Sequence, residues 1–206
     1  MDNGILFIIS APSGAGKTSL VKALLSQVEG LEKSVSHTTR PRRLQETSEK
    51  DYIFVDEPTF LQYQDEEVFL ECAQVFKYWY GTSKTWVENK LQKGTDVILE
   101  IDWQGARFIK AKMPCVTIFL LPPSKADLKA RLTARKQDDE TVIAYRMQQA
   151  HEELSHFNEY DYLVINDDFE QALKDLTVII QANRLTYERQ SLAQSEALLL
   201  ISKLLF

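Results

Sequence analysis

Two spacings of hydrophobic residues alternate along the chain. Short apolar runs rich in β-branched and aromatic residues predict strands, and each is followed by a stretch whose apolar positions recur at helical spacing. The pairs are GILFIIS with TSLVKALLSQV, TDVILEID with QGARFIKAKM, CVTIFLL with KADLKARLTAR, and YDYLVIND with a long helical tail. This order predicts an α/β fold, in which a parallel sheet carries helices on both faces.

The rhythm changes between residues 34 and 82. The segments SVSHTTR, YIFV and VFLECAQVFKYWYGT predict strands with only a short helical piece among them, which is typical of a smaller, partly antiparallel lobe inserted into the core. Farther along, the polar stretch 135–141 separates two helical patterns and predicts a mobile flap. We therefore expect a single domain over 1–206, with a core of 1–33, 83–123 and 158–206, an inserted lobe of 34–82 and a lid of about 124–157.

Composition and charge exclude several classes of protein. The chain has 206 residues, of which 44% are hydrophobic and 26% charged, a balance typical of globular proteins and unlike that of disordered or fibrous ones. The net charge of −6 argues against general binding to nucleic acids or anionic membranes, so an anion site must be local. The apolar run 5–9 is too short for a signal peptide or a membrane span, and a cytoplasmic protein with neither nucleic-acid nor membrane partners is expected.

The strongest chemical signal is the segment APSGAGKT, which lies directly between the first predicted strand and the first predicted helix. A loop of this kind presents main-chain N–H groups to an anion at the helix N-terminus, and its glycines permit close approach. The Lys17 side chain can reach the β- and γ-phosphates of a nucleotide, and the Thr18 hydroxyl can ligate Mg²⁺. The pattern predicts a nucleotide triphosphate site formed by Ala11, Pro12, Ser13, Gly14, Ala15, Gly16, Lys17 and Thr18.

A phosphate loop does not identify the reaction, and a GTPase is disfavoured. The segment DWQG at 102–105 satisfies D-x-x-G, but the only Asn-Lys pair, at 89–90, lacks the aspartate that would read guanine. A second phosphate site is indicated by SHTTRPRR at 36–43, because the planar guanidinium groups of Arg40 and Arg43 can bind phosphate bidentately. A solvated basic turn is the alternative interpretation of that segment.

The combined motifs closely resemble the guanylate kinase family. After the phosphate loop come TTR, Tyr52, FLECAQ, YGT, LEIDWQG, ARLTAR and INDD, in the order and spacing of that family and over nearly the whole chain. The resemblance implies a P-loop NTPase core, an inserted GMP-binding lobe and a helical lid. It also implies an enzyme of purine nucleotide metabolism that uses Mg²⁺ and transfers the γ-phosphoryl group of ATP to GMP, and to dGMP, giving ADP and GDP.

The resemblance further implies roles for particular residues. Lys17, Arg135 and Arg146 would be catalytic, and Asn166 would lie near the adenine of ATP. The attacking oxygen of GMP belongs to an ionised phosphate, so no general base is needed, and catalysis would depend on alignment and charge neutralisation.

The residues implied for the GMP site agree with the chemistry of guanine. Guanine presents N1–H and an N2 amino group as adjacent donors, which the Glu71 carboxylate can accept, and Thr82 can donate to O6; adenine lacks those donors. Asp102 would assist at the base or orient the waters of Mg²⁺, and a helix cap is a compatible alternative. The implied GMP site consists of Ser36, Arg40, Arg43, Tyr52, Glu71, Tyr80, Thr82 and Asp102.

Several positions depart from the family pattern. Ala11 replaces the first glycine of the phosphate loop, so this position must tolerate a Cβ. Gln45 and Glu49 stand where the family commonly has glycine, and Lys136 replaces the lid glycine. We expect altered loop flexibility rather than lost binding at these places.

Two other functions and one assembly remain open from the sequence. A protein-interaction module on the same fold is one alternative, although such modules tend to lose the phosphate-loop lysine or the GMP-binding arginines. A P-loop kinase acting on a sugar phosphate is another, although it would not need the Glu71 and Thr82 pair. The apolar tail ALLLISKLLF either folds back or packs on another subunit, which favours a homo-oligomer formed through the C-terminal helix.

Overall fold

The computed structural model describes residues 3–43, 46–75, 77–134 and 140–194, without the side chains of residues 134, 140–143, 192 and 193. The predictions for Gln45, Arg135, Lys136, most of the flap 135–141 and the apolar tail concern positions outside these ranges. The strands are β1 (Leu6–Ser10), β2 (Leu31–Lys33), β3 (His37–Thr38), β4 (Ile53–Phe54), β5 (Phe69–Val75), β6 (Tyr78–Ser83), β7 (Asp96–Leu99), β8 (Val116–Leu121) and β9 (Tyr162–Ile165). The α-helices are α1 (Lys17–Gln27), α2 (Glu57–Asp65), α3 (Lys84–Gln92), α4 (Trp103–Lys110), α5 (Lys125–Ala134), α6 (Glu140–Leu154), α7 (Phe169–Arg184) and α8 (Tyr187–Ala193).

The larger sheet has five parallel strands in the order β2-β7-β1-β8-β9. Its central strand β1 is buried along its whole length, because helices cover both faces. Successive side chains of a strand point to opposite faces. Phe7 and Ile9 pack in a cluster with residues of α1 and α7, and Leu6 and Ile8 pack in a second cluster with residues of α3 and α4. The predicted α/β architecture with a parallel sheet and flanking helices is confirmed.

Strand β2 was not predicted from the sequence. Only Leu31 of its three residues is buried, and the other two are charged, so neither length nor alternation signals a strand. It forms at the edge of the sheet by pairing with β7, where Leu31 lies opposite Asp96.

The smaller sheet has the strand order β4-β3-β6-β5 and contains both directions. Strands β3 and β4 are parallel, whereas β6 pairs antiparallel with both β3 and β5. Helix α2 packs on this sheet through the fully buried Phe60, whose ring stacks on Phe69 at a centroid distance of 4.6 Å. Gly81 on β6 makes room for that stack, because a Cβ there would lie 2.8 Å from the Phe69 ring. The mixed character expected for residues 34–82 is observed.

Among the helices of the described ranges, none combines the length and the apolar character that crossing a bilayer requires.

Candidate active site

A cavity of about 280 Å³ lies between the phosphate loop and the smaller sheet. It opens at the carboxyl ends of β1 and β7, which is where open parallel sheets place their ligands. Most of the predicted site residues line it: Ala11, Pro12, Ser13, Gly14, Gly16, Lys17, Thr18, Ser36, Tyr52, Glu71, Tyr80 and Asp102. The remaining lining residues, which the sequence did not single out, are Ser19, Ala73, Val75, Glu100, Ile101 and Glu153.

The phosphate loop connects β1 to α1 through two left-handed glycines. Gly14 and Gly16 have φ angles of 95° and 92°, a region that favours glycine. Gly16 is the N-cap residue of α1 and provides no side-chain acceptor for the first turn. The N–H groups at the start of α1 therefore have no side-chain cap, an arrangement that suits an anion; the binding of a nucleotide triphosphate there stays a prediction.

Asn166 supports the phosphate loop from beneath. Its Nδ2 donates to the carbonyl oxygen of the buried Ala15 at 2.7 Å, and a Cβ on Gly16 would lie 2.5 Å from the same nitrogen. Arg131 on α5 in turn donates to the main-chain oxygen of Asn166 at 3.0 Å. This support was missed by sequence reasoning, since 151 residues separate Asn166 from Ala15. The contact of Asn166 with adenine stays a prediction.

Ala11 fits its position without strain. Among the residues other than glycine in the described ranges, only Glu49 and Glu67 have positive φ angles. Ala11 therefore does not need the conformational freedom of glycine, and it packs against the hydrophobic cluster formed by β1, α1 and α7. Glu49 has a φ of 66°, so this family glycine position keeps a left-handed backbone although it carries a side chain.

The candidate guanine site is a buried carboxylate and hydroxyl on adjacent strands. Glu71 on β5 lies opposite Thr82 on β6, and the Thr82 hydroxyl donates to Glu71 Oε1 at 2.6 Å. Burial raises the pKa of Glu71 to about 7; the hydrogen bond from Thr82 opposes this shift, and the charge of Asp102 adds to it. A threonine has one O–H donor, so donation to guanine O6 requires the Thr82 hydroxyl to rotate away from Glu71.

The first turn of α4 closes this site from the other side. Asp102 lines the cavity and also caps α4, because its Oδ1 accepts from the Gly105 N–H at 2.9 Å. A Cβ on Gly105 would lie 2.9 Å from Glu71 Oε2. Gly105 was noted in the sequence only as part of D-x-x-G, and the structure shows that it makes room for the Glu71 carboxylate.

The candidate site for the GMP phosphate is formed by Ser36, Tyr52, Tyr80 and Arg40. The rings of Tyr52 and Tyr80 meet edge to face at 5.9 Å, and the Arg40 guanidinium lies 5.3 Å from the Tyr52 ring centroid. Neither arginine lines the cavity itself, but Arg40 is half-buried against Tyr52, whereas Arg43 is exposed. The structure therefore brings four of the predicted phosphate-binding residues together and leaves Arg43 at the surface.

Comparison with known proteins decides the family. The family model described as guanylate kinase matches residues 4–183. The chain belongs to the guanylate kinase family.

Relatives with this name are similar over almost their whole length. A guanylate kinase of Methylococcus capsulatus is 55% identical over 192 residues, which cover 93% of this chain and 94% of that protein. A guanylate kinase of Yersinia pestis is 52% identical over 208 aligned positions, which cover 100% of this chain and 99% of that protein. The crystal structure of guanylate kinase from Anaplasma phagocytophilum is similar with a TM-score of 0.78 and 33% identity, covering 91% of this chain and 90% of that one. The resemblance stated from the motifs is thus confirmed.

One further carboxylate of this guanylate kinase family member faces the phosphate loop. Glu153 on α6 accepts from the Ser13 N–H at 3.2 Å, and burial raises its pKa to about 7 against the opposing effects of Lys17 and of that hydrogen bond. Arg146 lies seven residues earlier, about two turns back on the same face of α6. The sequence carried no motif for Glu153, and only the packing of α6 near the loop reveals it.

Proposed function

We propose that this protein transfers the γ-phosphoryl group of Mg-ATP to GMP, and also to dGMP, giving ADP and GDP. The observation that carries the proposal is the placement of two recognition sites on one cavity. A phosphate loop lies on one side, and a buried carboxylate and hydroxyl pair, Glu71 and Thr82, lies on the other. A nucleotide donor and a guanine acceptor can therefore meet there.

Base selection follows from the burial of Glu71, which is only 5% exposed. The ionised carboxylate accepts the two adjacent donors of guanine, and these bonds offset the cost of burying its charge. Adenine has an acceptor at N1 and no amino group at C2, so AMP would leave the Glu71 carboxylate with no donor besides the Thr82 hydroxyl. A site of this kind can support discrimination of about 10⁴ or more.

Phosphoryl transfer requires alignment of two anions. A bond forms between the γ-phosphorus and an oxygen of the GMP phosphate, and the bond from that phosphorus to the β–γ bridging oxygen breaks. Lys17 lies in the cavity, and Arg146 is carried by α6 beside it. We assign to them, and to Arg135, the neutralisation of charge on the transferred oxygens, which can contribute roughly 10³ to 10⁵ in rate for one arginine.

The oxygen ligands beside the phosphate loop fit Mg²⁺. Thr18, Glu100 and Asp102 all line the cavity and provide hydroxyl and carboxylate oxygens. Within the described ranges, no three His, Cys, Asp or Glu residues cluster closely enough to form a metal cage. This agrees with the preference of Mg²⁺ for substrate phosphates and water plus one or two protein ligands. When bound, the ion would supply positive charge that neutralises the phosphate oxygens.

We assign the moving parts to the inserted lobe 34–82 and the lid of about 124–157. Closure of these two parts would exclude water from the site. Without closure, ATP would be hydrolysed in the absence of GMP. For the apolar tail, 197–206, we propose a role in a homo-oligomer in the cytoplasm. Light scattering over a range of protein concentrations, with and without the tail, tests that assembly, and a monomer at high concentration contradicts it.

The direct test is ADP formation from Mg-ATP with GMP, dGMP, AMP, UMP or a sugar phosphate as the acceptor. Turnover with only the guanine nucleotides is expected. Turnover with only the sugar phosphate would remove the assigned role of Glu71. Binding of ATP and GMP without turnover would favour an interaction module, a function that the similarity to relatives named guanylate kinase does not favour.

A further inference from the structure

One carboxylate organises the arginine segment at 36–43. Glu46 Oε1 accepts from Arg40 Nη2 at 2.6 Å, and Glu46 Oε2 accepts from the main-chain N–H of Arg43 at 2.8 Å. The main-chain oxygen of Glu46 accepts from Arg42 Nη1 at 3.0 Å. One residue outside the segment thus contacts all three of its arginines.

The contact between Glu46 and Arg40 is well shielded from solvent. The side chains are 17% and 11% exposed, unlike the exposed Arg43 beside them. Burial is the largest single effect and acts to raise the pKa of Glu46. The hydrogen bonds from Arg40 and the Arg43 N–H, together with the charges of both arginines, outweigh it, so the pKa lies below its usual value. A shielded, charge-assisted hydrogen bond of this kind restricts the guanidinium far more than a solvated surface pair would.

The arrangement leaves Arg40 able to bind a second anion. A guanidinium has five N–H donors. Arg40 uses one on Glu46, one on the Pro41 carbonyl oxygen at 2.9 Å and one toward the Tyr80 hydroxyl, so two remain. Arg40 also lies over the ring of Tyr52, which lines the cavity. Glu46 thus fixes one edge of the guanidinium and leaves donors for a phosphate.

We propose that Glu46 is a positioning residue for the phosphate group of the acceptor nucleotide, acting by holding the Arg40 side chain and the Arg43 main chain in register beside the cavity. This inference rests on the proposed function, because it assumes that GMP is the acceptor. Glu46 contributes no attraction to the phosphate and carries the same sign of charge. Its benefit is geometric, since a guanidinium held in place loses less freedom on binding.

The test compares Glu46→Gln with the wild-type enzyme by varying GMP at saturating Mg-ATP. The amide keeps the size of the side chain but removes the charge that holds Arg40. We expect KM for GMP to rise about tenfold to a hundredfold, with kcat within about threefold of the wild-type value. Glu49→Gln is the matched control, because it removes one negative charge from an exposed position in the same loop. It should leave KM for GMP within about twofold of the wild-type value.

Guanosine separates positioning of the phosphate site from general loosening of the lobe. It carries the base but no phosphate, so its inhibition constant should be equal within about twofold in the wild type and in Glu46→Gln. Equal weakening of guanosine and GMP would overturn the proposal. A lower KM for GMP in Glu46→Gln would overturn it as well, because the carboxylate would then be a competitor of the phosphate.

A double-mutant cycle tests whether Glu46 acts through Arg40. If it does, the double variant with Arg40→Gln and Glu46→Gln should have a KM for GMP within about threefold of the value for Arg40→Gln alone. Fully additive losses would contradict the proposal. Absence of wild-type turnover with GMP would contradict the proposed function itself, whereas normal wild-type turnover with an unchanged KM in Glu46→Gln would contradict only this inference.

Discussion

The two sides of the cavity are built to bind anions and bases by different means. The phosphate loop offers main-chain N–H groups, and nearby side chains such as Asn166 hold its backbone. On the side of the smaller sheet the proposed ligand groups are side chains, Glu71 on β5 and Arg40 just after β3, and each is held by another side chain at 2.6 Å. The comparison teaches that a site made of main-chain N–H groups tolerates changes in those of its side chains that do not contact the ligand, as Lys17 and Thr18 would. A site made of side chains depends on every member and on the residues that hold it.

The largest effect is therefore expected on the smaller sheet, from Glu71→Gln. The amide places an NH₂ donor against the donors of guanine and removes two charge-assisted hydrogen bonds, each worth roughly 1.5–3 kcal/mol. We expect kcat/KM for GMP to fall by roughly 10²- to 10⁴-fold, while KM for ATP changes less than about twofold. Steady-state kinetics with each substrate varied in turn measures both values.

The matched control is Glu66→Gln, which removes the same charge from an exposed position at the end of α2. It should leave both KM values unchanged. If Glu71→Gln weakened ATP as much as GMP, the two sides of the cavity would not act separately, and the comparison would fail.

On the phosphate-loop side, apart from Lys17 and Thr18, whose side chains are assigned to the phosphates and Mg²⁺, the largest effect is expected from Asn166, which supports the loop. Asn166→Ala removes the donor to the Ala15 carbonyl and leaves that buried acceptor unpaired. We expect a loss of about 1–3 kcal/mol in the free energy of unfolding, measured by urea denaturation, and a larger rise in KM for ATP than for GMP. The exposed Asn158 provides the control, since Asn158→Ala breaks no contact to the loop. If Asn166→Ala had the stability and the KM values of the wild-type protein, the loop would keep its conformation without the hydrogen bond from Asn166.

The difference between the two sides also explains how far the sequence could predict the molecule. The phosphate loop is one contiguous segment between a strand and a helix, so its geometry and its anion site follow from local order. Glu71 and Thr82 were predicted through the resemblance and the chemistry of guanine. The residues that support the two sides carry no local signal in the sequence. Gly105 makes room for Glu71 by lacking a side chain, and Glu153 meets Ser13 of the phosphate loop across 140 residues. Tertiary packing alone brings such pairs together.

The pH dependence of binding is expected to differ in sign between the two sides. Glu71 and Glu153 both have a pKa raised to about 7 by burial. GMP needs the ionised form of Glu71, so its affinity is half lost at about pH 7 and falls about tenfold between pH 8 and pH 6. Ionised Glu153 repels a triphosphate, so protonation below pH 7 should strengthen the binding of ATP.

Titration calorimetry with each nucleotide between pH 6 and pH 8 measures these trends. The second ionisation of the GMP phosphate, with a pKa near 6, acts in the same direction as Glu71. The contribution of Glu71 is therefore the part of the GMP trend that disappears in Glu71→Gln. Glu153→Gln should abolish the ATP trend and leave the GMP trend intact. Affinities that change in the same direction for both nucleotides would contradict the assignment of the two carboxylates.

The smallest effect is expected within the phosphate loop itself, from Ala11→Gly. The substitution restores the usual family residue but removes a methyl group that packs on the core cluster. It also adds conformational freedom to the unfolded chain, so stability should fall by about 0.4–1 kcal/mol. The N–H groups of the first turn of α1 are unaffected, and KM for ATP should stay within about twofold of the wild-type value. A tenfold change in KM for ATP would show that side chains shape this loop as strongly as they shape the guanine site, and the distinction between the two sides would be lost.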